Sequence, residues 1–295
     1  MPHRREHQEE VRRYLQKHLS MYDWRFSLPP GSGTESYIAH GFKRSYLVKI
    51  GVMVERYLAM AEIGLTPPVI LHGHLENGLS TMVQLFVACQ KPSRLDYRDR
   101  LIEVAELIHT MHNDPQIKGV LQAASWDSHK GAGLRALDTL RQKWEGYKAQ
   151  VAAIAEFVDS SLEHLAKQVN QFSGEGLVAS HGDICNANWL FASDGKIYLL
   201  DFESMSMDDP AADMGALLWW YYPPELRQRF LEIAGYLYNE DFKFRMQIRA
   251  AMHCLSITLP REGSFDQFNP ESFGASLRDF RAVLDGKENP EGYIK

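Results

Sequence analysis

The sequence predicts an α+β chain of two lobes, a β-rich N-lobe followed by a mostly helical C-lobe. Three observations predict it. Strand-like runs crowd residues 35 to 87, helical periodicity dominates from residue 95 onward, and the 295 residues are too many for one compact core but ample for two. The boundary falls near residue 88, giving lobes of 1 to 88 and 89 to 295. A ligand of such a chain is expected in the cleft between the lobes.

The elements follow in order. Val11, Tyr14, Leu15, His18 and Leu19 recur at helical spacing, so residues 5 to 19 read as an amphipathic helix. Pro29-Pro30-Gly31-Ser32-Gly33 is a turn-rich loop. Glu35 to His40 and Ser45 to Ile50 read as strands joined through residues 41 to 44, a hairpin. Residues 52 to 63 form a helix, stopped by Gly64 and barred from continuing by Pro67-Pro68. Val69 to Leu71 and Leu79 to Val87 are two more strands, and the Asn77-Gly78 step between them signals a hairpin.

After Pro92 the pattern changes to helices at 95 to 112 and 133 to 170, the second with an internal break. A short strand, Leu177 to Ala179, leads into His181-Gly182-Asp183-Ile184-Cys185-Asn186-Ala187-Asn188. Residues 189 to 192 and 196 to 200 form a small hairpin around Asp194-Gly195. From Ala211 the chain is helical again, with loops near Pro223-Pro224 and at 260 to 270.

Composition narrows the function classes. Hydrophobic residues are 45% and charged residues 24%, ordinary for a globular protein. The net charge of −6 argues against a nucleic-acid partner and suits a cationic small molecule. Cys89, Cys185 and Cys254 are odd in number and far apart, so neither a disulfide framework nor a zinc site is expected. Cys185 reads as a small loop-filling residue. The charged N-terminus lacks the apolar run of a signal peptide, and no stretch is long and apolar enough for a membrane span. A reducing cytoplasm is the expected compartment.

The motif region supplies oxygen chemistry. Asp183 and Asn188 stand five residues apart on a loop after a strand, and Asp201 ends the following hairpin. A hairpin returns its end to its start, so Asp201 should come back beside Asn188. Such a set suits magnesium, a hard ion that takes few protein ligands and keeps several waters. Phosphoryl transfer needs that ion, neutralised phosphates and a group to orient the attacking hydroxyl.

With the His-Gly-Asp-x-x-x-x-Asn run, the hairpin and Leu200-Asp201-Phe202-Glu203, the sequence resembles the aminoglycoside phosphotransferase and choline kinase superfamily, with its protein-kinase-like fold. Residues 208 to 218, DDPAADMGALL, resemble the segment that follows the metal aspartate in that family. The resemblance implies an ATP-dependent small-molecule kinase, GTP remaining an alternative donor. It implies Asp183 as the catalytic aspartate and Asn188 and Asp201 as magnesium ligands. It makes His181 a structural support and Asp213 the residue that holds the catalytic loop through backbone amides. Lys49 would contact the α and β phosphates, and Glu55 on the next helix would pair with it. Gly31, Ser32, Gly33 and Thr34 would cover the phosphates with backbone amides, although they lack the Gly-Lys-Ser/Thr of a Walker A loop. The Gln84 carbonyl and Phe86 amide would bind adenine, Gln84 standing where relatives often carry glutamate.

For the acceptor, Trp219, Trp220 and Tyr222 could cage a cationic amine, and Glu203 and Asp208 could hold its charge. The competing reading buries the aromatics in the core and solvates the acids. The expected acceptor is the hydroxyl of an aminoglycoside-like or other antibiotic. Alternatives are a metabolic kinase of choline, ethanolamine, homoserine or a sugar, and a silent pseudokinase. The pseudokinase reading predicts a missing catalytic residue, whereas Lys49, Asp183, Asn188 and Asp201 are all present. A protein kinase is disfavoured, because no Asp-Phe-Gly or Ala-Pro-Glu occurs between Asp201 and Asp213.

Overall fold

The computed structural model describes residues 7–29, 35–88, 91–121, 127–260 and 267–294. The α+β class holds. By internal contacts the chain forms two compact units, one drawn from Met1–Lys91 and Ala187–Glu203, the other from Pro92–Asn186, Ser204–Glu262 and Asp266–Lys295. The His-Gly-Asp end of the motif therefore belongs to one unit, and Asn188 and Asp201 to the other.

The first unit begins with α1 (Gln8–Leu19), then β1 (Arg25–Ser27), β2 (Ser36–His40), β3 (Ser45–Ile50), α2 (Val54–Glu62), β4 (Val69–His74) and β5 (Ser80–Leu85). The five strands form an antiparallel sheet in the order β1-β2-β3-β5-β4. Strand β1 was not expected; three residues are too short for a period-2 signal. Val11 and Leu15 of α1 pack with Trp24, Tyr37, Ala39, Val48, Ile50, Leu75 and Val83. The apolar stripe of the N-terminal helix is thus the cover of one sheet face. At the β4–β5 turn Gly78 takes φ 86°, and the Asn77 side chain accepts the Leu79 amide at 2.9 Å, as an Asn-Gly turn requires.

The 189–200 hairpin also belongs to this unit, with β7 (Trp189–Phe191) paired to β8 (Ile197–Leu199). The Leu199 amide donates to the Leu65 carbonyl at 2.8 Å, docking the hairpin behind α2.

The second unit is helical: α3 (Arg94–Asp99), α4 (Leu101–Asn113), α5 (Pro115–Val120), α6 (His129–Glu145) and α7 (Ala152–Val169) precede the motif. After it come α8 (Ala211–Tyr221), α9 (Pro224–Ile233), α10 (Glu240–Ile257), α11 (Pro270–Ser276) and α12 (Arg278–Leu284). The helix expected over 95 to 112 breaks at Arg100, and the short α5 was not expected. A two-stranded ladder, β6 (Val178–Ser180) with β9 (Ser206–Asp208), brackets the motif segment. Among the described residues no helix is long and apolar enough to cross a membrane.

Candidate active site

In the helical unit, β6 is buried throughout and delivers His181, itself fully buried, to the start of the loop. Gly182 follows with φ 75°, and a Cβ there would lie 2.5 Å from the Ser204 carbonyl oxygen. No other residue fits, because both the backbone angle and the space exclude a side chain. Asp213, in the first turn of α8, reaches back to this turn. Its carboxylate accepts the His181 amide at 2.8 Å and the Gly182 amide at 3.0 Å. His112, in the last turn of α4, meets the same carboxylate through Nε2 at 3.0 Å, and its Nδ1 meets the Tyr236 hydroxyl at 2.6 Å. Burial alone would lift the Asp213 pKa, but the hydrogen bond and charge of His112, with His181 behind them, hold it down to about 2.

The loop is braced further along. The His181 ring accepts the Asp183 amide at 3.3 Å through Nδ1. The Asn186 amide donates to the Tyr221 hydroxyl at 2.8 Å, and the Tyr221 ring stacks on Tyr97 with centroids 4.3 Å apart. Asp183, between these supports, is half-buried. A carboxylate on a loop held at both ends can accept a proton without the loop having to reorganise.

In the other unit, the hairpin returns Asp201 to Asn188, the Leu200 amide donating to the Asn188 carbonyl at 2.9 Å. Asp201 has φ 66°, a left-handed backbone that a non-glycine residue adopts at a cost of about 1 kcal/mol or more. Lys49 on β3, 7% exposed, donates to Asp201 Oδ1 at 3.2 Å and to the Tyr57 hydroxyl at 2.9 Å. Tyr57 in turn donates to Glu203 Oε1 at 2.8 Å. Burial, then the Asp201 carboxylate, push the Glu203 carboxyl up to about 7, against the pull of Lys49 and Tyr57. Arg56 fixes the segment by donating to the Phe202 and Glu203 carbonyls, both at 2.8 Å.

This geometry corrects several expectations. Glu55 does not pair with Lys49. It is exposed, and Tyr57, two residues on and about 200° around the helix, takes the ammonium instead. The Phe86 amide is taken by the Ser45 carbonyl at 3.0 Å. The antiparallel alternation then pairs the Gln84 backbone with Leu47 opposite it, so neither backbone group faces a nucleobase. The Gln84 side chain is buried and donates to the Pro67 carbonyl at 2.8 Å. Gly31, Ser32, Gly33 and Thr34 lie outside the described residues.

The acceptor residues are corrected more thoroughly. Asp208 is buried and bonded to Arg249 at 2.5 Å, and its neighbour Asp209 is buried against Arg245. Trp219 is 8% exposed and donates to the Lys287 carbonyl at 2.9 Å, and Trp220 is 7% exposed and donates to Asp279 at 3.2 Å. Tyr222 is fully buried, its hydroxyl on the Tyr97 carbonyl at 2.9 Å. The three aromatic side chains hold the end of α8 in the core. Glu203 belongs to the lysine network and not to a solvated loop.

Sequence reasoning missed His112, Tyr57, Tyr221, Arg245 and Arg249. The two arginines carried a signal, since they sit four residues apart on α10 and so share a face. Tyr57 and His112 carried none beyond their place on helices.

The family model for the phosphotransferase enzyme family matches residues 32–246. The chain belongs to this family. Solved structures of similar fold include choline kinase LicA from Streptococcus pneumoniae, 16% identical with a TM-score of 0.66, covering 95% of this chain and 98% of that one. The GDP and kanamycin complex of APH(2")-IIia is 12% identical with a TM-score of 0.67, covering 95% and 99%. Spectinomycin phosphotransferase APH(9)-Ia with ADP and spectinomycin is 14% identical with a TM-score of 0.60, covering 94% and 96%. At these identities the likeness is one of fold. As a member of the phosphotransferase enzyme family, the chain is a small-molecule phosphotransferase.

Proposed function

We propose that this phosphotransferase moves the γ-phosphate of ATP to a hydroxyl of an aminoglycoside-like or other antibiotic. The observation that carries the donor half is the Lys49–Asp201 ion pair, which joins residues 152 apart in sequence in one unit of the fold. The ammonium is the group that would meet the nucleotide phosphates. GTP is a second candidate donor, since one structural relative is a GDP complex.

Asp183 acts as the general base. It takes the proton of the acceptor hydroxyl as that oxygen bonds to the γ-phosphorus, and the bond from phosphorus to the bridging oxygen breaks to release the nucleoside diphosphate. Asn188 and Asp201 would hold magnesium. The site fits a cation, because no donor among the described residues reaches the buried Oε2 of Glu203 beside them. When bound, the ion would offset charge on the phosphates. For the nucleobase, the strand register favours the next two groups along. The Leu85 amide donates to the Pro68 carbonyl and so lies on the side away from β3, and in this reading the Leu85 carbonyl and the Val87 amide, on that side by alternation, would contact the adenine.

A second reading, a choline or ethanolamine kinase, is favoured by relatives of that description. A coupled turnover screen over aminoglycosides, macrolides, choline, ethanolamine, homoserine and sugars separates the two. Asp183→Asn should lower magnesium-dependent turnover by about 10²- to 10⁴-fold. Turnover equal to the wild type would overturn the assignment of the base.

A further inference from the structure

The ammonium of Lys49 is held by a neutral group as well as by Asp201, and the neutral group is the unexpected one. Tyr57 is 1% exposed, and its ring meets Phe202 edge-on with centroids 4.9 Å apart. A phenol has one proton to give. Tyr57 gives it to Glu203 at 2.8 Å, so the oxygen lone pairs face Lys49 at 2.9 Å. The bond to Glu203 thereby turns the hydroxyl oxygen toward the ammonium. The adjacent Arg56 binds the carbonyls of Phe202 and Glu203, so α2 sets both ends of the relay. The acids of α2, Glu55 and Glu62, are exposed, whereas Lys49 and Tyr57 are buried.

We propose that Tyr57 is the positioning residue for Lys49, its hydroxyl, fixed by Glu203, holding the ammonium and aiming Lys49 at the nucleotide phosphates. This rests on the reading that Lys49 meets those phosphates. The design has a consequence. A second carboxylate beside Asp201 would compete further with phosphate for the lysine charge, whereas a hydroxyl orients the ammonium without adding to that competition.

Calorimetry with magnesium-ATP, and with adenosine as a probe lacking phosphates, tests this on the full chain. Lys49→Ala should weaken magnesium-ATP binding by about tenfold or more, and Tyr57→Phe by about tenfold, the value of a hydrogen bond to a charged group. Adenosine binding should change by less than about twofold in Tyr57→Phe, and the double variant should bind magnesium-ATP no more weakly than Lys49→Ala alone. Tyr57→Met supplies a second hydroxyl-free side chain should the first fold poorly. Wild-type affinity in Tyr57→Phe beside a weakened Lys49→Ala would overturn the inference and leave the phosphate reading standing. Equal losses for adenosine and magnesium-ATP, or a further loss in the double variant, would show a merely structural tyrosine and overturn it too. A wild type that binds neither ATP nor GTP would overturn the phosphate reading, and the inference with it.

Discussion

Replacing Asp213 by alanine should damage this protein more than any change to the reacting groups themselves. The carboxylate is 1% exposed and accepts from two backbone amides and from His112, all within 3.0 Å. Removing it strands those donors. Each is worth about 1–3 kcal/mol, and some rearrangement will recover part of the loss, so about 3–5 kcal/mol is expected against a total stability of about 5–15 kcal/mol. Urea unfolding followed by circular dichroism measures it. The same residue carries an acid signature. Its carboxyl is held down at about 2 in the folded protein against 3.8 as the ordinary value. The unfolded chain therefore takes up the proton first as pH falls, so the contribution is present above about pH 4 and is lost progressively toward pH 2. It amounts to about 2 kcal/mol. Asp213→Asn should lack that part of the acid dependence while remaining unstable at neutral pH. An Asp213→Ala protein within about 1 kcal/mol of the wild type, or an Asp213→Asn protein with an unchanged acid slope, would refute the reasoning.

Two other substitutions follow from the same geometry. Gly182→Ala must accommodate a Cβ 2.5 Å from the Ser204 carbonyl at φ 75°, and should cost about 2 kcal/mol or more with a large fall in turnover, read by thermal melting and by steady-state kinetics. Arg249→Ala leaves the buried Asp208 carboxylate without its ion partner and should cost about 3–5 kcal/mol, measured by denaturant titration.

Much of the first unit was legible because strands and turns there carry local signals. The run SYLVKI is β3 to the residue, and the Asn-Gly step is the β4–β5 turn. The return of Asp201 to Asn188 followed from hairpin geometry alone. The partner of Lys49 did not follow, since the choice between Glu55 and Tyr57 depends on the rotation of α2. A frame difference of two residues turns one side chain to solvent and the other to the lysine. Nor could spacing show that the Phe86 amide belongs to β3, because register is settled by both strands together.

The aromatic run at the end of α8 shows why the acceptor was the hardest part to read. Trp219, Trp220 and Tyr222 looked like a cage because they sit in a dense aromatic run that follows the motif. Yet ten of the eleven residues of α8 are buried, from Ala211 through Tyr221, with Ala212 the exception. A helix apolar on every side has no face left to offer a ligand, and the run ALLWWY carries that property in its composition. Its polar atoms go where buried polar atoms must, to the Lys287 carbonyl, to Asp279 and to the Tyr97 carbonyl. Tyr221 of the run touches the motif, through the Asn186 amide. The segment thus acts on the chemistry by shaping the loop that carries Asp183. Specificity for the acceptor must accordingly come from side chains other than those of α8.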